Sequence, residues 1–226
     1  MRRVLLTTAL LCLASMAAAG AMFKTMIGSE PVELVLPAGM CQIERSNPTD
    51  AAYFEAIESG LAGTNKLLAA FAECRQLSDW RSSNKMFLEH GYYQAPVEML
   101  DSVATRDMVA EVCRELRSQG EKILDGLRED LTQRTERALK GLQVNELRSL
   151  GVIGEDSNAC YSAALRNLQA ESAQQKLQDM VFAVTVLRGK LLFLYVYALH
   201  ADDRTIPALL DRVRTTVTAL AAANEK

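Results

Sequence analysis

His90 and His200 are the only side chains in this 226-residue chain whose unperturbed charge change falls near neutral pH. His200 is followed by Asp202 and Asp203, and a carboxylate beside an imidazole can hold the ring as a general base. His200, Asp202 and Asp203 are therefore the catalytic candidates, and the chemistry they would serve is hydrolysis. A strand-end histidine beside acids equally just satisfies its ring nitrogens, and the spacing favours that reading. His90 stands in Glu89-His90-Gly91-Tyr92-Tyr93, where aromatic and polar groups alternate. Tyr92 and Tyr93 face opposite sides of a strand, so only one can join a pocket, and aromatics there are first of all core. The chain has no His-Glu-x-x-His, Gly-x-Ser-x-Gly, phosphate loop or dinucleotide fingerprint.

Metal chemistry has equally little to stand on. Glu155-Asp156 and Asp202-Asp203 would gather acid for a calcium ion if they met at one sheet end, but neither has the ligand order of an EF-hand. The cysteines and the two histidines lack zinc-ligand spacing. No cofactor and no metal are expected. Apart from Cys12 the cysteines are Cys41, Cys74, Cys113 and Cys160, and no Cys-x-x-Cys pair occurs. Four cysteines in an oxidising compartment allow three connectivities. The preferred pairing is Cys41 with Cys74, tying the first strand to the first helix, and Cys113 with Cys160. The alternative is one bridge with the other cysteines as buried thiols.

These groups are positioned by a hairpin near the C-terminus. Met180–Leu187 and Leu191–Ala198 are rich in β-branched and aromatic residues and flank the turn Arg188-Gly189-Lys190, which predicts two paired strands. As one membrane-spanning helix the stretch would bury Arg188 and Lys190. The second strand is apolar at odd and even positions alike, so both of its faces are covered. Strands near 147–153 and 159–167 extend the hairpin into an antiparallel meander.

Upstream, Val32–Leu36 and Met40–Ile43 read as a broken first strand. Asn47-Pro48-Thr49-Asp50 reads as a helix start, and the helix is expected to run to about Trp80 with Gly60 and Gly63 tolerated. Met86–Gln94 reads as a second strand. Residues 105–142 form the longest amphipathic helical stretch, and 202 onward the last helix. The expected class is α+β: a mostly antiparallel sheet with a C-terminal meander, covered by helices on both faces as a three-layer α/β/α sandwich.

Residues 1–21 read as a secretory leader: basic Met1-Arg2-Arg3, apolar Val4–Met16, then small residues to Ala21. Residues 30–226 are then a single α+β domain with no transmembrane segment after leader removal, expected in the periplasm of a Gram-negative bacterium or secreted. Losing Arg2 and Arg3 takes the formal charge from −3 to −5, which argues against nucleic acid as a partner. A hydrophobic content of 49% and a charged content of 23% exclude wholesale disorder.

The segment Leu36-Pro37-Ala38-Gly39, the hairpin at Gly189-Lys190 with Tyr195 and Tyr197, and a closing helix resemble secreted proteins of the Mog1/PsbP-like α/β/α sandwich. That likeness covers mainly residues 145–226, and the helical stretch at 105–142 departs from it. Pro37–Cys41 and Phe71–Cys74 are similar to segments of a group of uncharacterised exported proteobacterial proteins. The resemblance implies an accessory or binding role without a shared active site, so it assigns no residue roles. The expected function is non-enzymatic binding of an unknown protein partner or small ligand in the cell envelope. The candidate contact face is Leu116, Ile123, Leu127 and Leu131. The alternative is a small envelope hydrolase using His200 with Asp202 or Asp203.

Overall fold

A computed structural model describes residues 20–61, 63–83, 85–138, 142–170 and 176–225, without the side chains of 123–146 and 170. Its largest element is a seven-stranded antiparallel sheet of order β3-β4-β5-β9-β8-β7-β6. The strands are β3 (Met40–Ile43), β4 (Asn65–Glu73), β5 (His90–Pro96), β6 (Leu142–Glu155), β7 (Ala159–Ala170), β8 (Lys176–Leu187) and β9 (Lys190–Leu199). A separate hairpin, β1 (Met22–Ile27) with β2 (Glu30–Val35), lies on one face. The helices are α1 (Pro48–Leu61), α2 (Cys74–Ser83), α3 (Arg106–Ala138) and α4 (Thr205–Asn224).

The predicted C-terminal hairpin is β8–β9. Arg188 (φ 49°) and Gly189 (φ 73°) both take left-handed backbone, so a two-residue turn joins Leu187 to Lys190. Lys190 is buried and donates from Nζ to the carbonyls of Leu100 and Ser102 at 2.8 and 3.0 Å, which fastens the preceding loop to the hairpin. β9 is central, pairing with β5 on one side and β8 on the other. It thereby joins the N-terminal strands to the meander.

Both faces of β9 are covered, as its composition requires. Leu192, Leu194 and Val196 meet α4 and the β1–β2 hairpin in the main core, with Leu209, Val213, Val217 and Leu220 supplied by α4. The opposite face carries two smaller clusters. Tyr53, Phe54 and Leu77 from α1 and α2 cover Leu67, Ala70 and Ala72 of β4, while Val109 and Cys113 of α3 cover Cys160, Val184 and Leu191. Helices thus pack on both faces of the sheet.

Three expectations are corrected. The helix expected from Asn47-Pro48-Thr49-Asp50 to about Trp80 is instead α1, strand β4 and α2. Gly63 sits at φ +86°, a left-handed position that ends α1 rather than one a helix tolerates. The run Leu67-Leu68-Ala69-Ala70-Phe71-Ala72 is compatible with helix by propensity, but as β4 it packs under both layers. The strand expected from Met86 begins only at His90, because Phe87 turns into the cluster below α1. Strand β1 was not foreseen, since its first residue, Met22, continues the apolar leader signal. Asn47 caps α1 as expected, its Oδ1 accepting the backbone N–H groups of Thr49 and Asp50.

Candidate functional site

Register brings β5 and β9 together as three cross-strand pairs on the face that carries α1 and α3: His90 with Tyr197, Tyr92 with Tyr195, and Gln94 with Phe193. Helix α1 rests on β4 and α3 on β6, β7 and β8, and α1 and α3 also pack on each other, so this pair of strands forms a seam where the two helical covers meet. Tyr92 packs with the α1 cluster, and Phe182 and Phe193 pack with the α3 cluster. Tyr195 belongs to neither. Its ring stands 5.4 Å from Phe182, nearly parallel, and 5.2 Å from Tyr92, and it is only half-buried.

Polar groups run along the same seam. The hydroxyls of Tyr92 and Tyr197 share a hydrogen bond of 2.7 Å. The guanidinium of Arg166, from β7, lies 4.2 Å above the Tyr197 ring, donates to Gln178 Oε1 at 2.6 Å and reaches His90 Nε2 at 3.4 Å. Gln178 in turn donates to the Leu88 carbonyl at 2.7 Å. Burial and the charge of Arg166 push the His90 pKa down to about 3, so the ring is neutral. Burial also raises the Tyr92 and Tyr195 hydroxyls above their ordinary range, keeping them protonated donors.

Not every polar atom here is satisfied. Gln94 Oε1 is buried without a hydrogen-bond partner among the described residues. Gln94 and Tyr195 are diagonal neighbours across the β5–β9 ladder, close enough for one bound group to meet both. An unsatisfied buried acceptor costs about 1–3 kcal/mol, which makes such an atom the natural contact for a ligand donor.

His200 does not pair with Asp202 or Asp203. Its Nδ1 meets Asp179, 2.9 and 3.1 Å from the two carboxylate oxygens, at the start of β8. Asp179 is fully buried and His200 partly exposed. Asp202 is engaged by Arg204 at 2.7 Å, which holds its carboxyl below the usual range. Beside His200 lies a cleft of about 310 Å³ whose lining includes Glu89, Leu199, Asp202, Thr205 and Arg212. The arrangement orients an imidazole, but no hydroxyl or thiol nucleophile is bonded to His200 among the described residues.

The supposed calcium site is not assembled. The turn at 155–158 joins β6 to β7 at the sheet end that holds the Arg188-Gly189 turn, whereas Asp202 and Asp203 follow β9 at the opposite end. Glu155 pairs with Arg117, and Asp156 accepts from Asn158, Ala159 and Tyr161. No metal-binding group of histidines, cysteines and acids forms among the described residues. Of the candidate partner face, Leu116 packs against the α3 cluster, and the side chains of Ile123, Leu127 and Leu131 lie outside the described residues. The cysteines are bonded as Cys41–Cys74 and Cys113–Cys160. Two such bridges fit an oxidising compartment.

Arg166, Gln178, Asp179 and Gln94 were not singled out in the sequence. The available signal was charge or amide within strand runs whose neighbours are apolar, since such groups are buried only with partners. The leader expected at residues 1–21 falls on 1–19, outside the described residues, and on Gly20 and Ala21 just before β1. No helix among the described residues is long and apolar enough to cross a membrane.

No protein-family model matches the chain, and no curated protein matches it, so the likeness to exported proteobacterial proteins finds no support there. Among solved structures, the chain is similar to the solution structure of the cyanobacterial PsbP protein CyanoP from Synechocystis sp. PCC 6803. The two are 12% identical with a TM-score of 0.31, over 94% of this chain and 96% of that one. A superposition that loose passes no residue role to this chain.

Proposed function

We propose that this chain is an exported, periplasmic accessory protein of the Mog1/PsbP-like kind, without enzymatic activity, that binds a small ring-bearing ligand in the β5–β9 seam. One observation carries the reading. Tyr195 is half-buried and outside both helical clusters, and its diagonal neighbour Gln94 buries an acceptor that has no partner among the described residues. A planar group laid against the edges of Tyr195 and Tyr92 would bury one face on aromatic rings and donate one hydrogen bond to Gln94 Oε1. The two disulfides support export.

The six tyrosines supply the test. Tyr53, Tyr92, Tyr195 and Tyr197 lie at the seam, whereas Tyr93 and Tyr161 sit in the main core on the other face. In a chain labelled with 3-fluorotyrosine, the low-mass fraction of an envelope extract should move the fluorine lines of Tyr195 and Tyr92. The lines of Tyr93 and Tyr161 should stay in place. Movement of none, or of all alike, overturns the reading.

A second reading, a small envelope hydrolase, has the Asp179–His200 pair in its favour. It requires turnover of some ester or amide that His200→Ala abolishes.

A further inference from the structure

The two disulfides are placed differently. Cys113 and Cys160 are both fully buried between α3 and β7. Cys41 and Cys74 are half-buried and line the wall of an open cleft of about 310 Å³ with Leu77, Ser78, Arg81 and Ser82. Cys74 is also the first residue of α2, and α2 rests on β3 and β4 at the sheet edge. We infer that Cys41–Cys74 is a thiol–disulfide exchange site whose partner is a reduced dithiol protein, and that Cys113–Cys160 is a structural bridge closed to such a partner.

The step balances as follows. A thiolate of the dithiol attacks Cys41 Sγ, the Cys41–Cys74 bond breaks, and Cys74 leaves as thiolate at the N-terminal end of α2, where the helix dipole favours negative charge. The partner's second thiolate then attacks the mixed disulfide. Two electrons pass to this chain, Cys41 and Cys74 each take a proton, and the partner ends as a disulfide. Attack on the other bridge would have to pass through the α3 cluster, so access separates the two.

Opening this bridge has a defined route into the fold. Helix α2 holds the segment leading into β5 through Gln76, whose Oε1 accepts the backbone N–H groups of Leu88 and Glu89 at 2.7 and 3.1 Å. The Leu88 carbonyl accepts Gln178, and Gln178 accepts Arg166, which reaches His90. Helix α2 also carries Trp80, the chain's single tryptophan, 5.6 Å from Phe87. Release of α2 from β3 therefore changes the surroundings of Trp80 and loosens the support of His90. The exchange site itself does not depend on the ligand reading.

The test uses the whole oxidised chain under folding conditions. It is exposed to a reduced Cys-x-x-Cys protein, and separately to dithiothreitol, then alkylated and mapped by peptide mass. Cys41 and Cys74 are expected to be labelled about tenfold or more faster than Cys113 and Cys160. Trp80 emission should change in step with that labelling, and should not change in a Cys41→Ser/Cys74→Ser chain treated alike. Equal labelling of both pairs, labelling only when far-ultraviolet circular dichroism is lost, or an unmoved Trp80 emission would each overturn the inference.

Discussion

Arg166 reaches His90 Nε2 at 3.4 Å, and that contact decides the state of the ring. A guanidinium only donates, so Nε2 is the bare nitrogen and the proton sits on Nδ1. Burial first, and then the Arg166 charge, lower the His90 pKa to about 3, against about 6.5 for the unfolded chain. Between those values the unfolded chain holds more protons than the folded one, so this contribution is complete above pH 6.5 and is lost as pH falls towards 3. From pH 7 to pH 4 the group should remove on the order of 3 kcal/mol of stability. Urea midpoints should fall more steeply with acid in the natural chain than in His90→Gln. Parallel curves would show that His90 is not the group responsible.

His200 and Asp179 make a second test of structural against chemical roles. Truncation by His200→Ala strips the buried Asp179 carboxylate of the partner it has among the described residues. Because His200 is partly exposed and water can enter, the expected loss is about 1–3 kcal/mol rather than the full cost of a buried orphan charge. Adding Asp179→Asn to His200→Ala should recover part of that loss in a double-mutant cycle. An unchanged midpoint for His200→Ala would instead leave the pair free for chemistry and favour hydrolysis.

Gly91 holds β5 against β9. A Cβ there would fall 2.2 Å from the Tyr195 carbonyl oxygen and 2.5 Å from the Phe71 ring. Gly91→Ala should therefore push the two strands apart at a cost of about 1–3 kcal/mol or more. The near-ultraviolet dichroism of the seam tyrosines should weaken with it. A chain that melts as the natural one does would refute this close approach.

The buried bridge should behave as a stabilising cross-link. Cys113 and Cys160 are separated by 47 residues in sequence, a loop whose closure is worth about 4 kcal/mol at most in the chain-entropy picture. A Cys113→Ser/Cys160→Ser chain should lose about 2–4 kcal/mol by urea denaturation. A loss much below 1 kcal/mol would mean that packing around Cys113, not the bond, holds α3 to the sheet.

The β8–β9 hairpin was legible because its residues agree at every level: β-branched runs, a glycine turn and apolar character on both faces. The layered class followed from it. β4 was not legible, because Leu and Ala suit a helix as well as a strand, and only pairing with β3 and β5 decides between them. The seam was half legible. Glu89-His90-Gly91-Tyr92-Tyr93 announced aromatic and polar groups on a strand, but the partners of His90 come from β7 and β9, more than seventy residues away. His200 was visible and its partner was not, since adjacency in sequence pointed to Asp202 while strand register delivered Asp179.

The ligand seam is tested most directly by native mass spectrometry of the chain released from the envelope of its own cells, beside a Tyr195→Leu chain prepared identically. The account predicts a small added mass on the natural chain that is absent from the variant, with both chains folded by circular dichroism. A natural chain carrying nothing, or the same added mass on both, would contradict it.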